Sequence, residues 1–251
     1  MNNRMQKRWR TARFKSLLTA VALLAGMGVA ATASATAILS ASVGGAPTGA
    51  DYYETFDSLA LGTAGGLTPS GITVSFSPSA QAVQGSASGT YAAPYLSGNN
   101  GFNFGGQPDG ADTTTYLSSG STGAFSGAGA TLAFPGLERY MGLLWGSVDK
   151  YNTLTFFNGA AEIATFTGAD VSTLANGDQG ASGTFYVNIN FSTPFDRVVA
   201  TSSSYAFEFD NVAFSANPIG VPEPGVAGMF ALGLLLLGSG YWLRKRERRL
   251  G

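Results

Sequence analysis

The 251-residue chain contains 35 glycines but no cysteine and no histidine, which excludes disulfides, thiolate metal sites, cysteine nucleophiles and every catalytic arrangement that needs an imidazole. Its formal charge of −1 hides a segregation: six of the 14 Lys and Arg lie between Arg4 and Lys15 and five between Arg244 and Arg249, leaving Arg139, Lys150 and Arg197. Against those three cations residues 36–220 carry 13 carboxylates, a net of about −10 that repels phosphate backbones and argues against nucleic-acid binding.

Residues 1–35 read as a secretory signal peptide. A basic stretch (Arg4, Lys7, Arg8, Arg10, Arg13, Lys15) precedes an apolar run from Leu17 to Val29, and Ala33-Ser34-Ala35 offers a small-residue cleavage site that leaves Thr36 as the new N-terminus.

Residues 36–220 show short alternating runs broken by turn residues rather than a helical period, which predicts an all-β domain, a single jelly-roll-like β-sandwich. Strands are expected at 52–57 and 71–77, followed by a less periodic stretch, Ser77 to Gly129, that reads as long surface loops. Further strands are expected at 130–135 and 139–148. Asn152 to Phe157 and Glu162 to Thr167 flank Asn158-Gly159, a favoured hairpin turn because both residues tolerate positive φ. In 185–191, Phe185, Val187, Ile189 and Phe191 face one way and Tyr186, Asn188 and Asn190 the other. Strands at 195–203 and 205–215 complete the domain. The last has a phase change: Tyr205, Phe207 and Phe209 are odd, Val212 and Phe214 even. A one-residue bulge near Asp210-Asn211 would put all five on the core face, whereas straight pairing through Asn211 would refute it.

Beyond the domain, Val221-Pro222-Glu223-Pro224 forms a stiff strip, since its prolines lack backbone N–H groups and push their predecessors towards extended geometry. Gly225 to Leu243 has no charge and as a helix spans roughly 28 Å, which predicts a transmembrane segment. Tyr241 and Trp242 occupy an aromatic-belt position, and Arg244, Lys245, Arg246, Arg248 and Arg249 supply the positive-inside signal, placing the domain outside the cytoplasm.

Pro-Glu-Pro, apolar helix and terminal arginines in that order resemble the PEP-CTERM sorting signal of Gram-negative bacteria, in a region also labelled an ice-binding protein C-terminal domain. The resemblance implies an exosortase partner that cleaves near the motif, a transient hold in the inner membrane, and then release to the cell surface or the extracellular matrix. Tyr53 to Leu59, Gly142 to Asp149, Tyr151 to Phe156 and Phe207 to Val212 resemble blocks of Npun-type exosortase-dependent surface proteins. That resemblance implies display and carries over no catalytic residue.

Three constellations carry chemistry. Glu208 and Asp210 sit two apart on a strand, hence on one face, and paired carboxylates can hydrolyse a glycoside; Glu208-Phe-Asp-Asn-Val-Ala213 begins like the Glu-x-Asp-x-x-Glu strand of laminarinase-like sandwiches, with Ala213 replacing the closing Glu. An acidic surface strand, or carboxylates capping loop amides, is the simpler reading. Asp109-Gly-Ala-Asp112 and Asn176-Gly-Asp-Gln179 offer the oxygen ligands that Ca²⁺ takes, although such residues commonly serve as turn formers. Trp145 and Tyr151 are candidates to stack on a sugar ring, with burial in the core as the alternative for Trp145. Together these predict a secreted, non-catalytic surface protein, adhesive or glycan-binding, with exopolysaccharide as its partner and with no cofactor. A glycoside hydrolase using Glu208 and Asp210 is the alternative; ice or mineral binding has only Thr113-Thr-Thr115 behind it.

Overall fold

The computed structural model describes residues 36–220 except 48, 99, 102, 103 and 121–128. The signal-peptide residues with Ala33 and Ala35, the strip Val221 to Pro224, the apolar run to Leu243 and the terminal cations lie outside the described residues. Among the described residues no helix is long and apolar enough to cross a membrane. These residues form β1 (Ala37–Ser42), β2 (Tyr52–Glu54), β3 (Gly66–Leu67), β4 (Thr73–Phe76), β5 (Ala80–Gln84), β6 (Tyr95–Leu96), β7 (Gly110–Ala111) and β8 (Thr115–Ser119). They continue as β9 (Gly129–Gly146), β10 (Asn152–Asn158), β11 (Ala161–Thr167), one helical turn α1 (Gly168–Val171), β12 (Phe185–Ser202) and β13 (Phe207–Ser215). The domain is all-β, as the alternating pattern predicts.

Eleven of these strands join one antiparallel sheet, with β6 and β7 pairing separately. Its axis is the pair β9 and β12, each 18 residues long and running antiparallel from Phe185 opposite Trp145 to Thr201 opposite Gly129. Both strands break register at their middles, between Asn190 and Arg197 on β12. The cause is legible: Pro135 and Pro194 fall in these middles and cannot donate to the ladder. The same prolines explain why the sequence reads as 130–135 with 139–148, and 185–191 with 195–203. Each is one strand bent at a proline. On one side of the break β12 pairs with β1 and β9 with β13; on the other, β12 pairs with β10 and β9 with β4.

Both branches feed one hydrophobic cluster. Phe134 meets Phe195 at 5.2 Å and Phe214 at 5.1 Å, both edge-on, while Phe156 of β10 lies 4.6 Å from Phe191 of β12. Each such ring, fully removed from water, contributes roughly 1.5–3 kcal/mol. Phe185 is only partly buried, but Val187, Ile189 and Phe191 enter this cluster on the face their spacing assigns.

Three local expectations are corrected. The β10–β11 hairpin exists, but Asn158 still pairs with Ala161, so the loop is Gly159-Ala160 and only Gly159 takes positive φ (57°). Asn158 is held in the ladder and donates its side-chain amide to the Pro194 carbonyl. Ser77 to Gly129 is not simply surface loop: β5 and β8 pair within it, and all five residues of β8 are buried. Its few apolar residues hide that role, because much of its anchoring is polar, as where Tyr95 N donates to Thr184 Oγ1 at 3.2 Å. Finally, β1 lies where no strand was expected, paired along the edge of β12.

The predicted bulge is present. Asp210 pairs with Leu144 but Ala213 with Gly142, so β13 spends three residues where β9 spends two. Asn211 takes φ 52°, a left-handed conformation that Asn tolerates better than most residues. Phe207, Phe209, Val212 and Phe214 consequently all reach the core. Tyr205 does not: it precedes the strand and is exposed.

Candidate functional site

Where β9 ends, the chain turns sharply. Ser147 takes φ 45°, unusual for a residue with a Cβ, and is buried with its hydroxyl unpartnered. Val148 N then donates to the Gly183 carbonyl at 2.9 Å and Gly177 N to the Val148 carbonyl at 3.1 Å, tying this turn to the 176–183 loop. Asp149 bridges Asn176. Gly177 is required there twice: its φ is 74°, and a Cβ would lie 2.7 Å from Asp149 Oδ2. A second loop, 86–91, is closed by hydrogen bonds between Ala87 and Tyr91 and braced by Tyr116, which meets the Tyr91 ring and donates its hydroxyl to the Gly85 carbonyl.

These loops enclose a polar cleft of about 380 Å³, walled by 86–91, by Ser147, Asp149 and Tyr151, by Asn176, Gly177 and Gln179, and by Tyr205 and Ala206. Glu208 forms its floor. One carboxyl oxygen of Glu208 accepts from Ala92 N at 2.9 Å, which fixes the side chain; the other is buried with no partner. Burial, helped by the charge of Asp149 and opposed by backbone donors, pushes Glu208 up to about 7. Asp149 is also raised by burial, with the Tyr151 hydroxyl acting in the opposite direction. That hydroxyl lies 2.5 Å from Asp149 Oδ2 and 2.6 Å from the Tyr205 carbonyl oxygen. Having one proton, it can donate fully to only one of them.

Of the sequence-predicted residues, Glu208 and Tyr151 come together in this cleft. Asp210 does not. It is fully buried, absent from the cleft lining, and neither carboxyl oxygen has a donor. Burial first and the nearby charge of Asp112 second push it well above the usual carboxylate range. The acidic-surface reading of this strand is therefore corrected: Glu208 and Asp210 are both buried, and Glu208 caps a loop amide. At Glu208 that face is met by the chain at Ala92, in the segment that reads as loops.

Trp145 is core, not a sugar platform: it is wholly buried and stacked on Phe207 at 4.4 Å. Asp109 and Asp112 diverge; the first is exposed, while one oxygen of the second accepts from Thr114 N, the Thr114 hydroxyl and Gln107 Nε2. In the other oxygen-rich loop Asn176 Oδ1 accepts from Asp178 N and Asp178 Oδ1 from Gly180 N, each serving its own turn. Among the described residues no group of three acidic side chains converges to hold a metal ion. Thr113, Thr114 and Thr115 run from exposed to buried and present no flat array.

Sequence reasoning missed Asp149, Ser147, Tyr91 and Tyr205. Asp149 stands just past the apolar run that ends at Trp145, where a strand must give way to a loop, and that was the available signal. Nothing local marks Ser147, whose conformation is set by the loops it joins. Comparison with protein-family models, with characterised proteins and with solved structures returns no match.

Proposed function

We propose that the chain is an exported, non-catalytic surface protein whose domain holds a glycan in the Glu208 cleft. In this reading residues 1–35 direct export. The Val221 to Pro224 strip, the apolar run and the terminal cations form a PEP-CTERM signal that holds the protein in the inner membrane until an exosortase frees it. Residues 36–220 are a β-sandwich in which one sheet folds across the bends at Pro135 and Pro194; the shared core of the two branches supports this. The destination is the cell surface or an exopolysaccharide matrix.

The cleft carries the binding reading. Hydroxyl, amide and carboxyl groups converge there beside Tyr91, Tyr151 and Tyr205, and its volume suits one or two sugar rings. Sugars present hydroxyl donors that can reach unpartnered acceptors such as Glu208, and pyranose faces that rest on tyrosine rings. A glycan panel probed with the full-length chain and with Tyr151→Ala tests it: wild type retains one glycan class, and the variant weakens that binding roughly tenfold. No retention of any glycan by wild type would remove the reading.

A glycoside hydrolase remains the second reading because two carboxyls share the cleft and one is raised to about 7, the setting of a general acid. The partner of Glu208 is then Asp149, not Asp210. Reducing sugar released by wild type and lost in Glu208→Gln would establish this over simple binding.

A further inference from the structure

Resting on the glycan reading of the cleft, we infer that the sugar it takes carries a free ammonium group, held between Glu208 on the floor and Asp149 on the wall. Both are carboxyls, and no Lys or Arg lines the cleft. Lys150, next in sequence to Asp149, is exposed and does not line it. The other titratable groups around Glu208 are Tyr151 beside Asp149, Tyr91 of the 86–91 loop and Tyr205 in the cleft wall, and Tyr116 of β8 outside the lining; none supplies positive charge.

The second observation is independent of charge count. Glu208 is 2 % exposed, one oxygen is committed to Ala92 N, and the other has no donor. The Ser147 hydroxyl, 6 % exposed, is likewise unpartnered at the same cleft. An unmade hydrogen bond at a buried carboxylate is expensive, so a bound ligand must bring a donor. A neutral hydroxyl brings a donor without charge. An ammonium brings three donors and a positive charge to meet the buried Glu208 and the half-buried Asp149. An acidic sugar brings negative charge to a cleft lined by carboxyls and no cation and is disfavoured, a preference that the negative domain reinforces from a distance.

Cation binding must also draw the proton from Glu208, so association releases a proton wherever the empty site is protonated. The experiment titrates the full-length chain with glucosamine oligomers bearing free amines, and with the same oligomers N-acetylated, by calorimetry at about pH 6.5 in buffers of different ionisation enthalpy. The free-amine series is expected to bind at least about tenfold more tightly, with release of up to about one proton per site. In Glu208→Gln both the preference and the proton release are expected to vanish. Equal or tighter binding of the acetylated series by wild type overturns the ammonium inference and leaves the glycan reading standing. Failure of both series overturns the ammonium inference, and the glycan panel then decides the glycan reading separately. The wild-type comparison decides the matter even if the variant does not fold.

Discussion

At the scale of single residues the molecule is governed by carboxyls that have been taken out of water. Glu208 has an ordinary value of 4.5 and sits near 7 in the folded state, so folding favours its protonated form. Below about 4.5 both folded and unfolded chains hold that proton and no penalty arises. As pH rises towards 7 the unfolded chain sheds it first, and stability falls, levelling off above 7 at a loss of up to about 3 kcal/mol. Glu208→Gln keeps an oxygen for Ala92 N and has no charge to desolvate. Thermal unfolding across pH is therefore expected to give equal midpoints near pH 4 and a higher midpoint for the variant at pH 8. A variant less stable than wild type at pH 8 would mean that the carboxylate is satisfied in some other way. Trp145→Ala, by contrast, empties a core site and is expected to cost roughly 3–5 kcal/mol at every pH, measured by denaturant unfolding, without altering glycan preference.

At the scale of elements, the bulge in β13 decides which groups face the core. Asn211 adds one residue and takes φ 52°, so Val212 and Phe214 keep the face that Phe207 and Phe209 established. Asn211→Gly is expected to leave stability within about 1 kcal/mol of wild type, since glycine adopts this backbone freely. Asn211→Val places a β-branched residue in the left-handed region and is expected to cost about 2 kcal/mol or more by denaturant unfolding. This feature was readable because apolar parity changes within one short run. The long strands were readable as pairs of segments but not as single strands, because a proline that truly ends a strand and one that only bends it look alike in sequence. The site was half legible. Glu208 and Tyr151 stand out by type and spacing, whereas their meeting with Asp149 depends on loops 86–91 and 176–183 closing over the end of β9. The pairing of Glu208 with Asp210 failed for a simple reason. Two residues apart on a strand guarantees a common face, but not that the face is open along its whole length.

For the whole molecule, Glu138, Asp149, Glu208 and Asp210 all titrate above their ordinary values, with burial the largest cause for each. Their contributions share one sign, and the self-repulsion of a domain carrying about −10 adds to it. These four groups are therefore expected to lower stability as pH rises towards 8, read as a thermal-unfolding midpoint lower at pH 8 than at pH 4. The exported reading makes its own prediction: replacing Pro222, Glu223 and Pro224 by alanine should leave uncut chain in the membrane fraction, whereas wild type should appear outside the cell. The most direct test of the central claim is a residue-resolved titration of the full-length chain with free-amine glucosamine oligomers by NMR. The amide signals of Ala92, Ser147, Asp149, Tyr151 and Glu208 are expected to move together, saturably and as one site. Signals that stay still there while others shift elsewhere on the domain would contradict it.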